Sequence, residues 1–160
     1  MLIVAAALMG MNCFSQGMPG TAGETLTGKR IVLADAARGH LTALVAGFSR
    51  EGGTRCGDWV KAIHGDSALA NVEVYQMSML AGAPGLIRGM IKSSMKKGVP
   101  PAQQDHFVVL TQDEKLWRSY FDVSADQDPY IVLLDANGKV LWHGHGAAAK
   151  LEAQVKAALW

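Results

Sequence analysis

Leu41-Thr42-Ala43-Leu44-Val45-Ala46-Gly47-Phe48-Ser49-Arg50-Glu51-Gly52-Gly53-Thr54-Arg55-Cys56 is the stretch on which the fold turns. From Leu41 to Phe48 the chain is apolar on both faces of an extended backbone. That suits a central strand of a sheet covered on both sides. The residues after Phe48 carry three charges, adjacent glycines and one thiol, and they lead into a helix. Trp59, Val60 and Ile63 mark one face of that helix, which stops near Gly65.

Outward from this point, strands and helices alternate. Thr25 to Leu33 reads as a turn into a short strand, with Gly28 at the turn. Val72 to Met77 is a strand, Pro84 opens a helix running to Gly98, Phe107 to Leu110 is a strand, and Glu114 to Phe121 is a helix. Tyr130-Ile131-Val132-Leu133-Leu134-Asp135 and Lys139-Val140-Leu141-Trp142-His143 flank Asn137-Gly138, a strong hairpin signal. Leu151, Val155 and Leu159 repeat at spacing four in a closing helix from Ala147 to Trp160. This order predicts an α/β fold: a central mixed sheet, helices on both faces, and a C-terminal hairpin plus helix.

The 160 residues suit one domain, and 49% hydrophobic content is enough for a core. The net charge of +1 points to no nucleic acid and to no acidic partner, so any basic feature is local. Leu2 to Met11 is an apolar run too short to span a bilayer as a helix, which takes about 20 residues. Followed by Ser15-Gln16-Gly17, it reads as the core of a signal peptide or export leader over residues 1–20, with the domain at 21–160. It lacks a positive first region, and a hydrophobic N-terminal element of a cytosolic domain is the competing explanation. Gly10-Met11-Asn12-Cys13 is a poor lipobox. With the leader removed, Cys56 is the only thiol and no internal disulfide can form.

The element order resembles the thioredoxin-like redoxins from about residue 25 onward. Leu26-Thr27-Gly28-Lys29, Asp128-Pro129-Tyr130, Asn137-Gly138-Lys139 and Gly146 stand where that group has its N-terminal hairpin, its cis-proline, its hairpin turn and the glycine before its last helix. A narrower resemblance is to the mitochondrial ATP synthase assembly factor family and its bacterial relatives. It rests on Gly47-Phe48-Ser49-Arg50, Trp59, the helix from Leu86 to Lys97 with Val99-Pro100-Pro101, and Tyr130 to Asp135. That family has the fold without the C-x-x-C, and its mitochondrial members assist assembly of the membrane sector. Counted from Phe48, the two redoxin thiol slots fall on Gly53 and Cys56, so only the second thiol is present.

The resemblance implies a surface around Phe48, Arg50, Gly53, Thr54 and Pro129 that docks an extended peptide, with a cis-Pro129 shaping it. Cys56, read as a thiol at a helix N-terminus beside Arg55, would have a lowered pKa and could act as a nucleophile. Its position speaks against this, because the second thiol of C-x-x-C is the more buried one. The one-cysteine peroxidase pattern P-x-x-x-T-x-x-C also fails, since Arg50 fills its proline slot and Gly57 its cysteine slot. Arg50 and Glu51 could orient a ligand carboxylate, although solvated loop charges are the ordinary explanation.

On the helix from Pro84, Arg88, Lys92 and Lys96 recur at spacing four with Lys97 alongside, opposite Leu86, Met90 and Ile91, and there are no acids. A basic amphipathic helix of this kind can lie on an anionic membrane or grip an acidic partner. A core-packed helix with a solvated basic face is the ordinary alternative. His143-Gly144-His145 could chelate, but no third ligand is apparent, so no metal and no cofactor is expected. The expected function is a non-redox protein-binding or assembly-factor-like module, exported or periplasmic and associated with a membrane. The alternative is a single-cysteine thiol oxidoreductase or peroxidase using Cys56.

Overall fold

The computed structural model describes residues 17–148 together with Val155 and Ala157. Its elements are β1 (Ala22–Thr25), β2 (Arg30–Val32), α1 (Leu33–Ala36), β3 (Thr42–Gly47), α2 (Arg50–Gly65), β4 (Glu73–Met79), α3 (Gly85–Gly98), β5 (Phe107–Leu110), α4 (Glu114–Tyr120), β6 (Tyr130–Leu134) and β7 (Val140–His145). The seven strands make one mixed sheet in the order β2-β1-β5-β4-β3-β6-β7. Strands β3, β4 and β5 run parallel, β6 returns antiparallel beside β3, and β7 pairs antiparallel with β6 at the edge.

All six residues of β3 are buried, as its two-faced apolarity requires. Leu44 and Ala46 point to one side, into a cluster with Leu33, Met77, Trp117, Tyr120, Phe121, Tyr130 and Val132. Ala43 and Val45 point to the other, where Cys56, Trp59, Val60 and Ile63 of α2 meet Ile131 and Leu133. The period-2 alternation of a strand thus distributes one apolar run between two cores.

Several sequence expectations are corrected. The stretch Thr25 to Leu33 holds the end of one strand, a turn and a second strand, and Leu33 opens the short α1. Gly28 takes a φ of 88° at that turn, a conformation glycine adopts without penalty. Met18, within the expected leader, packs against the core. Most of the expected leader and most of the closing helix lie outside the described residues, although Ala148, Val155 and Ala157 are helical.

The largest correction concerns α3. None of its residues is buried, and of the three apolar side chains expected inward only Ile91 is partly covered, while Leu86 and Met90 face outward. Arg88 donates to the carbonyls of Leu80 and Ala81 at 3.2 and 3.0 Å, and Lys92 pairs with Glu24 at 2.5 Å. Leu86 and Met90, expected on the packed side, are 93% and 74% exposed. Two cations find carbonyl and carboxylate partners on the domain, so the helix is held by polar contacts and by Met95 and Val99 against Leu26, Phe107 and Val109.

β3 ends where α2 begins, and the two backbones touch there. A Cβ on Gly47 would lie 2.6 Å from the Gly53 Cα, whereas a Cβ on Gly53 would meet nothing within 4 Å. Gly47→Ala is therefore expected to destabilise the protein by about 1–3 kcal/mol through forced separation of strand and helix. Gly53→Ala is expected to stabilise it by roughly 0.5–1 kcal/mol through helix propensity. Denaturant unfolding of the two variants checks the pair, and equal midpoints would contradict the close approach.

Candidate functional site

Ser49 decides where α2 starts. Its hydroxyl accepts from the Gly52 N–H at 3.0 Å, an N-cap that opens the helix at Arg50. The sequence reading places the thiol at the helix N-terminus, but the cap puts Cys56 two turns inside. There it faces the sheet with 0% exposure, beside Trp59 and Val60. Burial pushes the Cys56 thiol up to about 12. The expected lowering is thus reversed, because at this depth desolvation outweighs a dipole effect confined to the first turn.

Pro129 is trans, since no described peptide bond is cis. It is buried, and its carbonyl accepts from the Gly146 N–H at 3.1 Å as the chain enters β6. A trans X-Pro bond opening a strand is the ordinary state for such bonds. The surface that a cis-proline was expected to shape is set instead by the loop over residues 122–129.

That loop is pinned from four directions. The Tyr130 hydroxyl accepts from the N–H groups of Ser124 and Ala125 at 2.9 and 2.8 Å. The Ser49 hydroxyl donates to the Asp126 carbonyl at 2.6 Å. Arg118 holds the Asp126 carboxylate at 2.6 and 3.2 Å, pairs with Glu114 at 2.9 Å, and lies 5.3 Å from the centre of the Phe48 ring. Asp128 takes His145 Nδ1 at 2.7 Å and Arg55 at 3.5 Å, and Arg55 also holds Glu51 at 2.8 Å. The loop closes directly on Gly52, where a Cβ would lie 2.9 and 3.0 Å from the Asp126 and Asp128 carbonyl oxygens.

The expected site residues therefore separate into two groups. Phe48 and Pro129 are buried supports; Phe48 stacks edge-on with Phe121 and Tyr130 at ring distances of 5.8 and 6.0 Å. Arg50 and Thr54 are exposed, and Gly53 is half-buried, its backbone against Gly47 and open space where a side chain would stand. The Thr54 hydroxyl donates back to the Arg50 carbonyl at 3.0 Å, and Arg50 has no ion pair among the described residues. Arg88 and Lys92 are bound to the domain, while Lys96 and Lys97 are exposed.

Sequence reading missed Ser49, Arg118, Asp126, Asp128 and His145 as parts of this network. Ser49 carried a usable signal, an N-cap residue directly after a strand. The others are separated along the chain and carry no shared spacing. His143 and His145 share the exposed side of β7, but His145 is engaged by Asp128. No group of three metal-binding side chains occurs among the described residues.

Two measurements follow. In a Cys13→Ser background, Cys56 should alkylate ~100-fold or more slowly in the native protein than in the unfolded chain, with no thiolate titration near the free-thiol value of about 8.5. Native labelling as fast as unfolded labelling would overturn the burial. The second measurement concerns Asp126, whose carboxyl Arg118 holds below its usual value of 3.8. A carboxyl with a lowered folded-state pKa stabilises the fold above the unfolded value, and that contribution is lost as pH falls through the folded one. The gap in Tm between the wild type and Asp126→Asn should therefore be full at about pH 6 and close below about pH 3.8. A gap that stays constant into acid would refute the Arg118 contact as its source.

Solved structures with the same fold include a thiol:disulfide interchange protein DsbE from Chlorobium tepidum, 22% identical, with a TM-score of 0.60 over 89% of this chain and 94% of that one. BsSco, of the Sco family of cytochrome c oxidase assembly proteins, is 15% identical, with a TM-score of 0.58 over 89% and 92%. The exposed lipoprotein thioredoxin Etrx1 from Streptococcus pneumoniae is 15% identical, with a TM-score of 0.56 over 86% and 97%. At these identities the likeness concerns the fold alone. No curated protein matches the chain. A family model described as ATP10 protein matches residues 14–159, nearly the whole sequence. The chain belongs to the ATP10 family of ATP synthase assembly factors, built on a thioredoxin-like fold.

Proposed function

We propose that this chain is a non-redox protein-binding module, an exported assembly factor that works at a membrane surface and meets its partner on the exposed side of the α2 N-terminus. One observation carries the reading. The first thiol slot is Gly53, with open space beyond it, and the second is Cys56, with 0% exposure and a pKa pushed up to about 12. The fold keeps the platform and holds no accessible thiol on it among the described residues.

The platform suits docking. Loop 122–129 is fixed by charge-assisted bonds before any partner arrives, which lowers the ordering cost of association. Arg50, without an ion pair among the described residues, and the backbone at the half-buried Gly53 offer a cation and a side-chain-free approach to an extended segment. Family membership supports a protein partner. Export is supported by the apolar run Leu2 to Met11. The thiol-enzyme alternative needs a reactive Cys56, and burial weighs against it.

The test is a photo-activated cross-linking residue at Thr54, compared with one at Lys139 on the hairpin turn. In membranes from the source cells, position 54 should yield a discrete, saturable adduct that position 139 does not. Cys56→Ser should leave that yield unchanged. An adduct that disappears with Cys56→Ser, or peroxide consumption that depends on Cys56, would replace the binding function with thiol chemistry.

A further inference from the structure

We propose that α3 seats this protein on an anionic lipid surface, with Leu86, Ile87 and Met90 entering the acyl boundary and Lys96 and Lys97 at the phosphate headgroups. The membrane part of the function above is thereby given a place and a ligand chemistry, and the proposal rests on that part alone.

Helical spacing sorts α3 into two stripes. Arg88, Ile91, Lys92, Met95 and the following Val99 are the partly covered residues that face the domain. Leu86, Met90, Ser93, Ser94 and Lys97, at i, i+4, i+7, i+8 and i+11, form the outward stripe, and all are exposed. Leu86 at 93%, Met90 at 74% and the neighbouring Ile87 at 47% are three of the five large hydrophobic side chains exposed among the described residues. Lys96 and Lys97, at the other end, have no ion pair among the described residues, and the helix has no acidic residue to offset them.

The occupant follows from how this stripe is ordered. A helix that fills a protein groove repeats apolar anchors through i+4 and i+7. Here the apolar side chains stop at Met90, and Ser93 and Ser94 hold the next turns. An apolar tip, a hydroxyl middle and a cationic end match the depth profile of a lipid interface, where acyl chains, glycerol and phosphate succeed one another and lysine stems extend to the headgroups. The helix is about 21 Å long, so this gradient spans interfacial dimensions. The anchoring of Arg88 and Lys92 to the domain holds the apolar tip outward rather than letting it roll under. No described helix is long and apolar enough to cross a membrane, and α3 would enter the interface obliquely, its Leu86 end deeper than its Lys97 end.

The test uses the full chain and vesicles of phosphatidylcholine with or without phosphatidylglycerol. Leu86→Ser with Met90→Ser should weaken binding to the anionic vesicles by about tenfold or more, since two apolar side chains no longer leave water. Lys96→Gln with Lys97→Gln should weaken it by about fivefold or more and flatten its salt dependence. Lys115→Gln with Lys139→Gln, exposed lysines elsewhere, should leave it unchanged. Any N-terminal contribution is common to all three pairs and cancels. As a direct readout of α3, Ser93→Cys in a Cys13→Ser background carries an environment-sensitive dye, which should shift to the blue on anionic vesicles only.

A dye that does not shift, or a Leu86/Met90 variant that binds as the wild type does, overturns the proposal. So does a self-association in solution that the same variant abolishes, which would make the occupant a second copy. Cross-linking at Thr54 separates this proposal from the wider function. Adduct retained with vesicle binding lost in the α3 variants supports a lipid contact distinct from the partner site. Absence of any Thr54 adduct beside intact, α3-dependent vesicle binding supports the lipid contact while removing the protein-binding function.

Discussion

The approach of backbone to backbone at Gly47, Gly52 and Gly53 is the constraint on which the rest of the structure depends. Side chains set the usual spacing between a strand and the helix that covers it. Here glycines let the end of β3 meet α2 directly, and on another side of the helix Gly52 lets the Asp126 and Asp128 carbonyls close in. The position of α2 over the sheet follows from this contact. So does the depth of Cys56, because a helix seated this closely turns its second turn into the core. The loop over residues 122–129 takes its place from the same contact, and Arg118, Arg55, His145 and the Tyr130 hydroxyl secure it.

Electrostatics in this molecule position elements more than they stabilise them. The pairs around Asp126 and Asp128 are partly exposed, where an ion pair contributes little in isolation. Joined through one short loop, they define its conformation, which an isolated pair could not do. The same holds on the opposite edge of the sheet, where Arg88 and Lys92 orient α3 without burying any of its residues. With its domain side held mainly by polar contacts, α3 leaves Leu86, Ile87 and Met90 facing outward. The platform at α2 and the ridge on α3 are thus two surfaces with different chemistry on one scaffold, the first polar and preformed, the second apolar and bordered by lysines.

Sequence reading was reliable where local chemistry and tertiary environment agree. The two-faced apolar run at Leu41 to Phe48, the Asn137-Gly138 turn and the spacing of Trp59, Val60 and Ile63 each have one low-energy solution, and the structure adopts it. Reading failed where two physical effects compete. For Cys56, the helix dipole and burial shift the pKa in opposite directions, and the depth of the residue decides between them. At Pro129, family likeness favoured cis while the ordinary preference of the bond favoured trans. On α3, hydrophobic periodicity predicts which side chains share a face but not which face turns inward, since cations with carbonyl and carboxylate partners can be held against the domain as well.

From the sequence alone came the α/β order, the central position of β3, and the likeness to the redoxins and to the ATP synthase assembly factors. These depend on composition and spacing within single elements, where the physical preference is local. Only the tertiary structure decided that the Cys56 thiol is sealed in the core, that Asp126, Asp128, Arg118 and His145 converge beside the α2 N-terminus, and that α3 carries Leu86, Ile87 and Met90 outward. Each of these depends on contacts between residues far apart in the chain, such as Lys92 with Glu24 and Arg55 with Asp128. Such pairings leave no periodic trace in a single sequence, because their spacing is set by the path of the folded backbone and not by the repeat of a helix or a strand.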